Sequence, residues 1–287
     1  MSRIFEALQR SESEKIEFAF HEPPSVAMLQ EAERTAVEPE SESFEPNAPF
    51  QLADFPSVQV APTPNSRLVS LTDTESLGAE KFRFLGVRLR RLQQERGIKR
   101  VLITSTISEE GKTLVTANLA ATLARRKQQK VLLLEGDLRR PTQAQLFGGT
   151  RPAGLSEWLQ SNSRTVSNIY YLDGPGFWLM PAGHPPENPL ELMQSGKLAN
   201  LMEQLAAGFD WVVIDSPPIL PLADTSVWAR FADGILLVVR AGRTERQPLQ
   251  KGLAAIDQSR LLGLVVNSCA GDNEKDYYSR YSPAAVE

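Results

Sequence analysis

The sequence predicts an α/β fold, a doubly wound and mostly parallel sheet with helices on both faces. Three observations carry that expectation. Five short runs, "RVLITST" (100–106), "KVLLLEGD" (130–137), "DWVVIDS" (210–216), "GILLVVRAG" (234–242) and "GLVVNS" (263–268), are rich in unbroken Val, Ile and Leu. Runs of that length without alternation suit strands buried on both faces. Segments of helical length lie between them, at 112–127, 189–206, 222–232 and 245–260, and strand–helix alternation implies βαβ units. Polar motifs fall at the carboxyl ends of the runs, where ligands bind in such sheets.

Taken in order, residues 1–66 hold eight of the 20 prolines, much Glu and Ser, and no sustained apolar period. Such a segment buries too little surface to offset its ordering entropy, so it is expected to be a disordered acidic tail. Within it, residues 2–15 place Ile4, Phe5 and Leu8 on one helical face. A fraying turn and a docking helix for a partner or membrane surface both remain open there. Residues 67–270 form the expected folded domain. Two weaker strands, "IYYLD" (169–173) and "FWLMP" (177–181), are expected side by side or at an edge. Residues 271–287 are a polar, flexible tail holding three of the chain's five tyrosines.

Charge and composition narrow the function. Residues 1–70 carry 12 acidic against 5 basic side chains, a net of −7, so a chain total of −4 leaves +3 for the remainder. Neither value implies a nucleic-acid surface. A single cysteine, Cys269, excludes an internal disulfide and fits a reducing cytosol; with only His21 and His184 besides, no zinc site is expected. No apolar run approaches the ~18–20 residues needed to span a bilayer. The start, "MSRIFEALQR", lacks a secretory core, and a cytoplasmic protein is expected.

The stretch "STISEEGKTLVTANLAATLARR" (105–126) places Gly-Lys-Thr directly after a strand and at the opening of a helix. That context makes it a phosphate-binding loop, and the fold P-loop NTPase-like. Backbone amides of Ser108, Glu109, Glu110, Gly111, Lys112, Thr113 and Leu114, with the helix dipole, would hold phosphates. Lys112 would bridge β- and γ-oxygens, and the Thr113 hydroxyl would join a Mg²⁺ shell. Glu135 and Asp137 end one strand and Asp215 ends another, supplying the acids that Mg²⁺–ATP needs. Helix capping is the alternative reading for Asp137 and Asp215, and Asp224 reads as a helix N-terminal acid.

Together "LITSTISEEGKT", "VLLLEGDLRRP", "GLSEWL", "PAGHPPENPLELM", "FDWVVIDSPPILPLADT" and "GILLVVRAGRTER" resemble, in order, the bacterial tyrosine autokinases of exopolysaccharide and capsule synthesis. The resemblance runs from about residue 70 to the end. It implies an ATP- and Mg²⁺-dependent protein-tyrosine kinase with catalytic Lys112, Glu135, Asp137 and Asp215, and metal held by Thr113, Asp137 and Asp215. It implies phosphorylation of Tyr277, Tyr278 and Tyr281 in trans, within a homo-oligomeric ring that loosens once modified. Glu80 and Arg83 would make the ring contact. A separate membrane polysaccharide co-polymerase would be the partner, holding a cytoplasmic chain peripherally at the inner membrane. At Asn267 the resemblance implies adenine recognition, and a turn-forming Asn is the competing reading.

Three positions depart from the family pattern. Glu109 replaces the usual glycine. A carboxylate ~5 Å from a phosphate charge costs about 3 kcal/mol at an effective dielectric of ~20, so its side chain is expected to point to solvent. Loss of glycine also disfavours positive φ there. Glu135 stands for the first Asp of a "DxD" and adds a methylene. Gly86 replaces the last arginine of the ring pattern, with Arg88 or Arg90 as substitutes. These departures favour a second reading, a catalytically weak nucleotide-binding scaffold of the same assembly; a Min/Par-type partition ATPase shares the fold, but Thr106 and Ile107 offer no signature lysine early in the loop.

Overall fold

The computed structural model describes residues 51–268 except 63–65, 127, 150 and 221. The candidate N-terminal helix at 2–15, Cys269 and the tail tyrosines Tyr277, Tyr278 and Tyr281 lie outside the described residues. In chain order the elements are β1 (Ser57–Gln59), α1 (Val69–Thr72), α2 (Leu77–Arg96), β2 (Arg100–Ser105), α3 (Lys112–Ala124), β3 (Val131–Glu135), α4 (Gln143–Leu146), α5 (Leu155–Gln160), β4 (Tyr170–Asp173), β5 (Phe177–Met180), α6 (Pro189–Met193), α7 (Gly196–Gly208), β6 (Trp211–Asp215), α8 (Asp224–Phe231), β7 (Gly234–Arg240), α9 (Arg246–Ala254) and β8 (Leu261–Asn267).

The strands form one sheet in the order β1-β4-β5-β3-β6-β2-β7-β8. Every neighbouring pair is parallel except β4–β5, which is an antiparallel hairpin. The doubly wound fold is therefore as the sequence predicts, and the two weaker strands lie side by side. Strand residues alternate between two cores. Leu102, Leu132, Leu134, Val212, Ile214 and Leu237 face α7 and α8 through Leu201, Leu205 and Trp228. Val101, Ile103, Val131, Leu133, Val213 and Val238 face α3 and α2 through Leu119, Leu123 and Leu89. Burial on both faces is why these strands read as unbroken aliphatic runs.

Two boundaries differ from expectation. Residues 52–59, assigned to a disordered tail, contain a short 3₁₀ turn and β1, which pairs with β4 at the sheet edge. All of β1 is exposed, so it shows no apolar pattern; Phe55, buried just before it, is the anchor. The segment 189–206, read as one helix, is two, α6 and α7, separated at Gln194–Ser195.

Candidate active site

The loop from β2 into α3 is built by side chains that fold back onto it. Gly111 has φ 91°, and a Cβ there would stand 2.1 Å from Asn267 Nδ2, so the position admits only glycine. Glu110 is fully buried beneath the loop. Its carboxylate accepts from Thr106 N at 2.7 Å, Ile107 N at 3.0 Å, the Thr106 hydroxyl and the Thr244 hydroxyl. This side chain braces the loop from within and holds the amides of Thr106 and Ile107, neither of which is among the backbone amides expected to hold phosphate. Glu109 does point outward as expected, 70% exposed and paired with Arg243, while its carbonyl accepts from Arg240. Its φ is nonetheless 65°, against the expectation that a residue with a Cβ avoids this region. The left-handed turn costs about 1 kcal/mol for such a residue, and the two arginines hold it. Asn267 differs as well. Its Nδ2 donates to the Glu110 carbonyl at 2.9 Å and its Oδ1 accepts from Ser268 N at 2.8 Å. Both ends of the amide are engaged by backbone, which supports the turn reading over adenine recognition.

Three segments converge on Lys112. Its Nζ stands 2.9 Å from Asp137 Oδ2, 3.8 Å from Asp215 Oδ1 and 3.3 Å from the Thr113 hydroxyl. Burial works against the ammonium, but Asp215 and Asp137 together outweigh it and hold Lys112 above the ordinary lysine range. Asp215 is almost fully buried, and that burial raises its pKa despite Lys112 and the donors Gln143 and Thr113. Asp137 also accepts from Arg140 N at 3.1 Å, so it caps the following turn and meets Lys112 at once. Glu135 lies beside Asp215 across the β3–β6 ladder but turns elsewhere. Its carboxylate accepts from the amides of Thr142, Gln143 (2.6 Å) and Ala182 (2.9 Å). Burial raises its pKa while those three bonds oppose the rise. With three amide donors it ties β3 to the segments after β3 and β5.

Residues 101–282 match the CbiA family, the CobQ/CobB/MinD/ParA nucleotide binding domain. The tyrosine-protein kinase YwqD of Bacillus subtilis is 32% identical over 212 residues, covering 73% of this chain and 89% of YwqD. The putative tyrosine-protein kinase CapB of Staphylococcus aureus is 33% identical over 205 residues, covering 71% of this chain and 90% of CapB. The chain belongs to the bacterial tyrosine-kinase branch of the CobQ/CobB/MinD/ParA family. The kinase domain of the Escherichia coli tyrosine kinase ETK agrees in structure, with TM-score 0.65 at 28% identity over 71% of this chain and 82% of that one.

For this tyrosine-kinase family member, a Mg²⁺ ion needs only one or two protein oxygens, the rest coming from water and phosphate. Among the described residues no group of three or more His, Cys, Asp and Glu side chains is placed to hold a metal alone. The Asp215 carboxylate and the Thr113 hydroxyl, which lie 3.8 and 3.3 Å from Lys112 Nζ, fit that sparser demand. Two residues that sequence reasoning missed, Thr116 and Gln143, contact them. Thr116 donates to the Lys112 carbonyl at 2.8 Å and lies 3.5 Å from Asp215; its place one turn after Lys112 is the signal that was available. Gln143 contacts Asp215 and Thr113, with no sequence signal at all. Arg139 makes a two-pronged pair with the buried Asp224 at the start of α8. On α2, Glu80 and Arg83 pair with each other, and Arg83 also donates to the Thr74 carbonyl at 2.8 Å. Gly86 is buried, and a Cβ there would stand 3.1 Å from the Thr122 methyl of α3, a tight fit for any larger residue. Arg88 is exposed and Arg90 half-buried.

Proposed function

We propose that this chain is an ATP- and Mg²⁺-dependent protein-tyrosine kinase that phosphorylates tyrosines of its own C-terminal segment. The observation that carries the proposal is the convergence of Lys112, Asp137 and Asp215 at the N-terminus of α3. One ammonium stands between two acids, and an arriving polyphosphate would compete with Asp137 for Lys112. Lys112 keeps its charge because Asp215 remains beside it, so its ammonium can meet charge that builds on the transferred phosphoryl. Thr113 and Asp215 would hold Mg²⁺, which neutralises phosphate charge. With Glu135 bound by three amides, Asp137 is the acid left to accept the hydrogen of a tyrosine hydroxyl.

By the resemblance to exopolysaccharide and capsule autokinases, the acceptors are Tyr277, Tyr278 and Tyr281 of a neighbouring copy in a ring. The role is control of polysaccharide export beside a membrane co-polymerase. No helix among the described residues is long and apolar enough to cross a membrane. A second reading, a nucleotide-binding scaffold with weak catalysis, is favoured by the binding of Glu135 to backbone amides. One experiment separates them: purified protein with Mg²⁺–ATP, probed for phosphotyrosine, beside Lys112→Met and a triple Tyr→Phe tail variant. A signal lost in both variants supports the kinase; no signal from the unaltered protein supports the scaffold.

A further inference from the structure

Gln143 opens α4, eight residues beyond Glu135, and is fully buried. Its backbone N–H donates to Glu135 Oε1 at 2.6 Å. Its side-chain Nε2 donates to Asp215 Oδ2 at 3.0 Å and to the Thr113 carbonyl at 3.1 Å. One residue is thereby bonded to the end of β3, the end of β6 and the first turn of α3. The other half of the amide is unsatisfied: Oε1 is buried and finds no hydrogen-bond partner. A buried amide oxygen without a partner is costly, and such groups persist in native structures where something else depends on the side chain. A methionine would fill a similar volume with no orphan acceptor. What it would lack is the Nε2 donor.

That donor acts on a carboxylate whose two oxygens face different tasks. Asp215 Oδ1 lies toward Lys112 and Thr116, at 3.8 and 3.5 Å. Oδ2 is the oxygen that Gln143 bonds. With Oδ2 held, the carboxylate cannot rotate about its last torsion without breaking a buried bond. The same Nε2 bonds the backbone carbonyl of Thr113, the residue whose hydroxyl stands 3.3 Å from Lys112 Nζ. A hydroxyl and a carboxylate that are to share one small, near-octahedral ion must be fixed to within a fraction of an ångström.

We propose that Gln143 is a positioning residue of this site, locking Asp215 and Thr113 in the relative geometry that a magnesium–nucleotide complex requires. The inference rests on the nucleotide-binding reading above. It is tested by calorimetric titration with ADP, once with Mg²⁺ and once in EDTA, on the unaltered chain, Gln143→Met and Gln143→Asn. Loss of an outer-shell partner typically weakens metal affinity ~10–100-fold. Both variants are expected to bind Mg²⁺–ADP at least about tenfold more weakly, with ADP affinity in EDTA unchanged. A purely structural role would lower both affinities together, and that result overturns the proposal, as does undiminished Mg²⁺–ADP binding. Should Gln143→Met fail to melt cooperatively, Gln143→Asn decides. It keeps the amide but withdraws it by one methylene, and full Mg²⁺–ADP affinity in that variant overturns the role. An unaltered chain whose ADP affinity ignores Mg²⁺ would remove the underlying reading as well, so the two failures are distinct.

Discussion

Glu110 sits between Glu109 and the glycine of the phosphate loop, and in the fold it serves as the loop's internal acceptor. Four donors from two segments, the Thr106 and Ile107 amides and the Thr106 and Thr244 hydroxyls, end on its carboxylate. Thr244 follows β7, so the bond ties the loop to the neighbouring strand's exit. Glu110→Ala would leave both amides without their acceptor, Thr106 fully buried and Ile107 partly so. At ~1–3 kcal/mol for each stranded donor, less what relaxation recovers, the unfolding free energy should fall by about 3 kcal/mol. Glu110→Gln retains one acceptor oxygen and should lose about 1 kcal/mol. Urea denaturation of the three proteins checks the series. Were Glu110 simply a ligand contact, the alanine variant would lose nucleotide affinity while its denaturation midpoint stayed in place.

Among the elements, the seam between β2 and β7 shows how a strand start is fixed. Asp233, just before β7, accepts from the amides of Lys99 and Arg100 at 2.9 and 2.7 Å and from the Arg100 guanidinium at 2.8 and 3.1 Å. Burial alone would raise its pKa, yet the Arg100 guanidinium and the two amides outweigh that and hold it below the usual carboxylate value. A folded-state pKa below the unfolded one means stability that is present above pH ~4 and lost as pH falls through the folded value. Asp233→Asn should therefore cost about 2 kcal/mol at neutral pH. The gap between variant and unaltered chain should close as pH drops below ~4, in denaturation curves taken across pH 2–7. A gap that stays constant over that range would assign the effect to shape instead of charge. The same scale shows what the sequence made legible. β2, β3, β6 and β7 were readable because burial on both faces leaves an aliphatic run. β1 was not, because its residues are all exposed and leave no apolar pattern. In the site, Lys112, Asp137 and Asp215 were readable because each sits at a strand exit beside a recognisable motif. The true partners of Glu135, Gln143 and Asn267 were not, because they are backbone groups or acids brought close by the folding of loops and by the sheet order. Ala182, for instance, lies 47 residues from Glu135.

For the whole molecule, the site exists only when the sheet does. Lys112 follows β2, Asp137 follows β3 and Asp215 ends β6; the sheet order places β6 between the other two. An unfolded chain cannot gather these groups, so a nucleotide that binds them binds the native state alone and shifts the folding equilibrium by mass action. At a free concentration ~100 times Kd that shift is about 2.7 kcal/mol. In a domain of this size each kcal/mol moves the melting temperature by about 2–4 °C. Mg²⁺–ADP should therefore raise Tm by roughly 5–10 °C at saturation. Lys112→Met is the control, and its own Tm should fall, because two buried carboxylates then face each other without the ammonium. The quantity to compare is the ligand-induced increment, expected to vanish in the variant whatever its starting Tm. A calorimetric scan of the unaltered chain whose Tm ignores millimolar Mg²⁺–ADP would mean that the converged cation and acids hold the sheet together and bind no nucleotide.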